Sequence, residues 1–210
     1  EKEQDLTGAD KVEKVMALRT SATSDRDLVE SSRGLFTRVL ALDFDGALTT
    51  SNVNELLGAP EALETFGGQE RVEYIHQFLT TVRQHGSLVV IVSKNEMDII
   101  SNGIEAVGLD MMIDRIFDRR ALEARPLAGK PSKPLLMHEI LAQLGVGSSH
   151  AILVDACVEE SSKGMPCARY VVKGDSGMTL DDMRTICQSL RIPFTVTEPA
   201  MSIQAVVKAA

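Results

Sequence analysis

The chain has 210 residues, 44% apolar and 25% charged, with six Phe, two Tyr and no Trp, enough for one good-sized core built mainly from Leu, Val, Ile, Ala and Met. A formal charge of −8 argues against sequence-independent binding to nucleic acid or to an anionic membrane, while leaving room for a local basic pocket. No run approaches the roughly 18 apolar residues that a spanning helix requires. Cys157, Cys167 and Cys187 lack metal-like or disulfide-framework spacing, and there is no Asn-x-Ser/Thr acceptor. The expected setting is a reducing, cytoplasmic one. The start carries no signal-peptide pattern, and because it opens on Glu1 a processed or trimmed N-terminus is also expected.

Residues 1–36 are polar and read as an appended arm, with short helical stretches near 9–18 and 25–32 split by "TSATSD". The α/β domain is expected over 37–210. "RVLALDF" (38–44) is a buried strand that ends in acids, and "QERVEYIHQFLTTVRQHG" spaces Val72, Ile75, Phe78, Leu79 and Val82 as one helix face closed by Gly86. "SLVVIVS" (87–93) is a second buried strand, followed by Asn95 and a helix to about Val107. "MMIDRIF" (111–117) predicts a third strand and "KPLLMHEILAQLG" (133–145) an amphipathic helix. "HAILVD" (150–155) and "RYVVKG" (169–174) predict strands, "TLDDMRTICQSL" (179–190) a Thr-capped helix, and the tail a strand at "FTVT" and a short helix. Apolar strands alternating with amphipathic helices predict a three-layer α/β fold, a parallel sheet with helices on both faces.

In such a sheet, ligands collect beyond the carboxyl ends of the strands. Asp43 and Asp45 stand at one such end, Ser93 at another and Asp155 at a third, and Lys133 opens the helix that leads into the Asp155 strand. Two carboxylates this close repel each other and are costly to desolvate. A divalent cation would compensate them, and Mg²⁺ prefers such oxygen ligands. A hydroxyl and an ammonium beside the ion could hold an oxyanion.

The chain here resembles the haloacid dehalogenase (HAD) superfamily, whose members are mostly phosphatases. Asp43-Phe44-Asp45-Gly46-Ala47 is similar to the family's first motif, Ser93 to its second, Lys133 (with Lys130 as rival) to its third and Asp155 to its fourth, over roughly residues 38–175. The resemblance implies a Mg²⁺-dependent phosphatase that hydrolyses a phosphomonoester. Asp43 would be the nucleophile that becomes an aspartyl-phosphate, Asp45 the general acid and base, and Ser93 and Lys133 the holders of the phosphoryl oxygens. Metal ligands would be Asp43, the Asp45 carbonyl and Asp155, with Glu159 a further candidate and Glu160 a weaker one. An acid at position 45 favours phosphoryl transfer over carbon–halogen cleavage.

Ala47 stands where many members carry Thr or Val, and Ala156 where many carry a second Asp. These departures support an alternative, a catalytically weak or inactive relative acting as a binding or scaffold protein. Only 50 residues separate Asp43 from Ser93, and 40 separate Ser93 from Lys133, which leaves no room for a sizeable cap domain. The resemblance therefore implies an open site, suited to a macromolecular phosphorylated substrate or to a lid from a second copy in a homo-oligomer. Residues 51–68 are a candidate small flap.

Each residue also has an ordinary reading. Ser93 fits a helix N-cap, Cys157 a small packed side chain, His76 and His138 core-edge positions, and Arg115, Arg119, Arg120 and Arg125 a solvated face. "GVGSSH" (145–150) follows a helix and precedes a strand, the wrong order for a dinucleotide loop.

Overall fold

A computed structural model of the protein describes residues 35–156 and 164–198. The two arm helices, the tail helix, Cys157, Glu159 and Glu160 lie outside the described residues.

Five strands, β1 (Arg38–Leu42), β2 (Ser87–Val92), β3 (Arg115–Phe117), β6 (Ala151–Asp155) and β7 (Ala168–Val171), form one parallel sheet in the order β3-β2-β1-β6-β7. Between β3 and β6 lies a small antiparallel hairpin of β4 (Pro126–Leu127) and β5 (Lys130–Pro131). β1 is central because both of its faces are apolar. Leu40 and Leu42 pack under α2 (Gln69–Gln84), α3 (Met97–Ala106) and α6 (Leu180–Ser189), sharing a cluster with Ile75, Phe78, Ile100 and Ile186. Val39 and Ala41 face α5 (Lys133–Leu144) and share the opposite cluster with Leu136, Met137 and Ile140. The fold is thus a three-layer α/β sandwich of the Rossmann-like kind, in which two-sided burial explains the unbroken apolar strands.

The chain moves outward from β1 through β2 to β3, then returns to the other side of β1 as β6. Strand order reverses at β1, so the carboxyl ends of β1 and β6 open a crevice between them. Asp43 follows one of these ends and Asp155 closes the other.

Three expected elements differ. The predicted strand over 111–117 shortens to β3, and Asp110–Met112 forms a 3-10 turn. Asp114 explains the change: its Oδ2 accepts the Val89 N–H at 2.8 Å, and Oδ1 pairs with the buried Arg83 at 2.6 Å. "FTVT" joins no strand; Phe194 lies edge-on to Phe78, and Thr197 exchanges two hydrogen bonds with the Gln77 side chain, fastening the segment to α2. Leu35 and Phe36, assigned to the arm from sequence, are buried in the α5-side core. The candidate flap is a loop followed by α1 (Ala59–Thr65). Among the described residues, no helix is long and apolar enough to cross a membrane.

Arg83→Ala would take from the buried Asp114 the guanidinium that pairs with its Oδ1 and is expected to cost about 3 kcal/mol in urea unfolding. Arg184→Ala, which removes an exposed pair with Asp181, should change stability by no more than about 0.5 kcal/mol.

Candidate active site

The sheet still holds the chain one residue beyond β1, where the Asp43 N–H donates to the Val154 carbonyl at 2.8 Å. The backbone then makes a single wide turn, Phe44–Leu48, closed by the Thr49 N–H on the Phe44 carbonyl at 3.0 Å. Gly46 adopts φ +69°, and a Cβ there would lie 2.8 Å from the Ala156 Cβ. Glycine is therefore required by both conformation and space.

Ala47 is fully buried and contributes its carbonyl, which accepts from the Met178 N–H at 2.8 Å and Arg71 Nη2 at 2.9 Å. A hydroxyl stands two residues later, at Thr49. Thr49 Oγ1 accepts the Gly46 N–H at 3.2 Å and lies 3.0 Å from the Phe44 carbonyl. Arg71 also donates to the carbonyls of Leu48, Phe66 and Met178, so one guanidinium braces the turn from behind. Burial lowers its pKa to about 10, opposed by Asp182.

Lys133 is the first residue of α5, whose N-cap Ser132 accepts the Leu135 N–H at 3.3 Å. A cation in the first helical turn opposes the helix dipole, and this one is also buried. Two carboxylates compensate both costs. Lys133 Nζ donates to Asp43 Oδ2 at 2.7 Å and to Asp155 Oδ1 at 3.1 Å. The other Asp155 oxygen accepts from Arg169 Nη2 at 2.8 Å. Lys130, the rival lysine, is exposed on the β4–β5 hairpin.

Asp45 faces the loop that follows. Its Oδ1 accepts the Val53 N–H at 2.9 Å, and Asn95 Nδ2 lies 3.2 Å from its Oδ2 while also reaching the Val53 carbonyl. Asn95 thus ties acid, loop and the end of β2 together. Ser93 is buried with its Oγ accepting the Asn95 N–H at 3.2 Å, so it shapes this turn and is not the cap of α3. The residue preceding α3 is Glu96, whose N–H donates to Asn95 Oδ1 at 2.8 Å.

Asp43, Asp45, Ser93 and Lys133 line one cavity of about 370 Å³, and Asp155 backs it through Lys133. Asn54, Lys94, Asn95 and Arg119 also line it, and the first three carried no site reading from sequence. Arg119, expected on a solvated face, stands at the rim with Nε on the Lys94 carbonyl at 3.0 Å. Arg115 is buried, with its guanidinium 5.1 Å from the Phe117 ring centroid. His76 is half-buried, and His138 is exposed, not at the core edge. A larger cavity, about 710 Å³, lies beside β3 and α5 away from the acids, and its Arg125 is paired with Glu139. The smaller one holds the strand-end acids and is the candidate site.

Burial pushes the Asp43 carboxyl up to about 6; Lys133 pulls against that shift, and neighbouring Asp155 adds to it. Burial also raises Asp45, against the hydrogen bonds from Val53 and Asn95. Among the described residues, no three His, Cys, Asp or Glu side chains are grouped to hold a metal. Two carboxylates, Asp43 and Asp45, line the cavity, and a third, Asp155, lies behind Lys133.

No family model and no curated protein matches the chain. Similar solved structures include an uncharacterized protein from Listeria monocytogenes serotype 4b, 17% identical over 74% of this chain and 99% of that one, with a TM-score of 0.46. A probable YrbI family phosphatase from Pseudomonas syringae pv. phaseolica 1448a is 14% identical over 86% of this chain and 96% of that one, with a TM-score of 0.44. The 3-deoxy-D-manno-octulosonate 8-phosphate phosphatase from Moraxella catarrhalis, solved with magnesium, phosphate and KDO, is 14% identical over 78% of this chain and 92% of that one, with a TM-score of 0.43. At these TM-scores the likenesses carry no inference about chemistry, which rests on the side chains themselves.

A carboxyl raised from 3.8 to about 6 binds its proton more tightly in the folded than in the unfolded state. Stability from Asp43 therefore falls as pH rises from about 4 through 6. In EDTA at pH 7, Asp43→Asn is expected to be more stable than wild type by about 1–2 kcal/mol, with the gap closing toward pH 4. Paired urea titrations across that range check both the sign and the trend.

Proposed function

We propose that the protein is a divalent-metal-dependent phosphatase that hydrolyses a phosphomonoester through a phosphoryl group carried on Asp43. The observation that carries this reading is the Lys133 ammonium bridging Asp43 and Asp155 at the mouth of a polar cavity. That arrangement holds one carboxylate as a fixed, partly exposed nucleophile, with a cation beside the place where negative charge would develop.

A hard cation fits these residues. Asp43, the Asp45 carbonyl and Asp155 are hard oxygen donors, and two of the carboxylates meet at a single ammonium, Lys133. They would hold Mg²⁺ with water completing its shell; once bound, it would neutralise phosphoryl charge. Glu159 remains a candidate ligand from sequence.

The chain's own groups then divide the work. A carboxylate oxygen of Asp43 forms a bond to phosphorus as the bond to the leaving oxygen breaks, and Asp45 gives that oxygen its proton. Burial raises the Asp45 pKa, which favours the proton-carrying form needed for this step. Water then bonds to phosphorus and passes a proton to Asp45, restoring the Asp43 carboxylate and releasing inorganic phosphate. Ser93 and Lys133 hold phosphoryl oxygens, while Lys94 and Arg119 stand on the rim where an anionic substrate would enter. Among the described residues no large element covers the cavity, which suits a phosphate presented on a large molecule.

Wild type with an aryl phosphate and Mg²⁺ should show turnover that Asp43→Asn reduces by about 10³-fold or more, since nucleophilic attack is lost. Activity that survives that substitution unchanged would remove Asp43 from the reaction. Asn95→Ala frees Asp45 and the 51–58 loop together; its kcat should fall about 10-fold or more while KM changes less.

A further inference from the structure

We propose that Arg169 is a positioning residue that makes the acidic cluster bind a divalent cation more weakly and an oxyanion more tightly. The inference rests on the metal-dependent reading above and assigns a role to a residue outside the four motifs. Arg169 lies on β7 in register with Leu153 of β6, and its guanidinium reaches along the strand to the Asp155 carboxylate. The Arg169 side chain is 6% exposed and that of Asp155 is 1% exposed, so water screens the contact little.

Asp155 gives one oxygen to Lys133, at 3.1 Å, and the other to Arg169, at 2.8 Å. An incoming cation must therefore share lone pairs with two nitrogen donors and meet a fixed positive charge beside its ligand. A lysine can deprotonate when crowded by a metal, whereas a guanidinium stays charged throughout the working pH range. Lys133 contacts Asp43 and Asp155, Arg169 contacts Asp155, and Asp45 lines the same cavity, so these five groups carry about −1 by formal count. A divalent ion turns that cluster net positive, the state that attracts a phosphate dianion. Without Arg169, the same ion would bring the cluster only to neutrality.

A purely structural role predicts the opposite sign. If Arg169 only fastened β7 to β6, removing it would loosen Asp155 and weaken the cation site. The two accounts therefore separate on the direction of one binding constant, without reference to turnover.

The test uses the full chain, stripped with EDTA, as wild type, Arg169→Gln, Arg169→Met and Arg169→Lys. Mg²⁺ binding is measured by calorimetry, followed by inorganic phosphate binding at saturating Mg²⁺. Both neutral variants should bind Mg²⁺ about fivefold or more tightly than wild type and phosphate about fivefold or more weakly, with Arg169→Lys between them and wild type. Binding of Mg²⁺ by the neutral variants alone also supports the proposal. Equal or weaker Mg²⁺ binding in folded neutral variants overturns the inference and leaves the phosphatase reading standing. Absence of Mg²⁺ binding in every protein overturns both. Either neutral variant suffices if the other does not fold, and failure of both to fold assigns Arg169 to sheet cohesion and overturns the proposal.

Discussion

The site depends on one buried ammonium. Lys133 lies where a cation is doubly disfavoured, at a helix N-terminus and out of water, and it is held there by Asp43 and Asp155. Those acids arrive on neighbouring parallel strands because strand order reverses at β1. Fold and site are therefore coupled in both directions: the sheet brings the carboxylates together, and the lysine offsets the repulsion that their meeting creates. Removing Lys133 would leave two carboxylates buried side by side, whereas neutralising Asp43 leaves Lys133 paired with Asp155 and relieves repulsion between the acids.

Around that unit, two layers of support fix the geometry. Behind the Phe44–Leu48 turn, Arg71 gathers four carbonyls from segments that are distant in sequence, while the Thr49 hydroxyl bonds across the turn. In front, Asn95 joins Asp45 to the Val53 backbone, so the loop following the acid packs against the acid itself. A rigid turn suits the nucleophilic role proposed for Asp43, which requires approach to phosphorus along a fixed line. Ala47 is compatible with this arrangement because its contribution is a carbonyl, and the nearby hydroxyl comes from Thr49.

Much of this was legible in the sequence wherever a signal was local. Continuous apolar runs identified the central strands, and a polar residue at the end of each placed Asp43, Ser93 and Asp155 at one edge. Lys133 was legible as a helix-opening residue but not separable from Lys130, because the choice depends on Ser132 starting the helix and turning the next side chain inward. Asp114 was illegible as a strand breaker, since its carboxylate replaces a ladder partner only once Arg83 and Val89 are adjacent. Arg71, Asn95 and Arg169 were missed for the same physical reason. Each works through partners on other elements, and a single polar residue has no periodicity to announce it.

The proposed chemistry turns on Asp43 as the group that carries the phosphoryl group. The most direct measurement is acid-quenched mass spectrometry of the wild-type protein during turnover of an aryl phosphate with Mg²⁺. The account predicts an acid-stable, base-labile phosphoryl group on Asp43, absent from Asp43→Asn. Turnover with the phosphoryl group on another residue would contradict it, as would turnover that survives in Asp43→Asn.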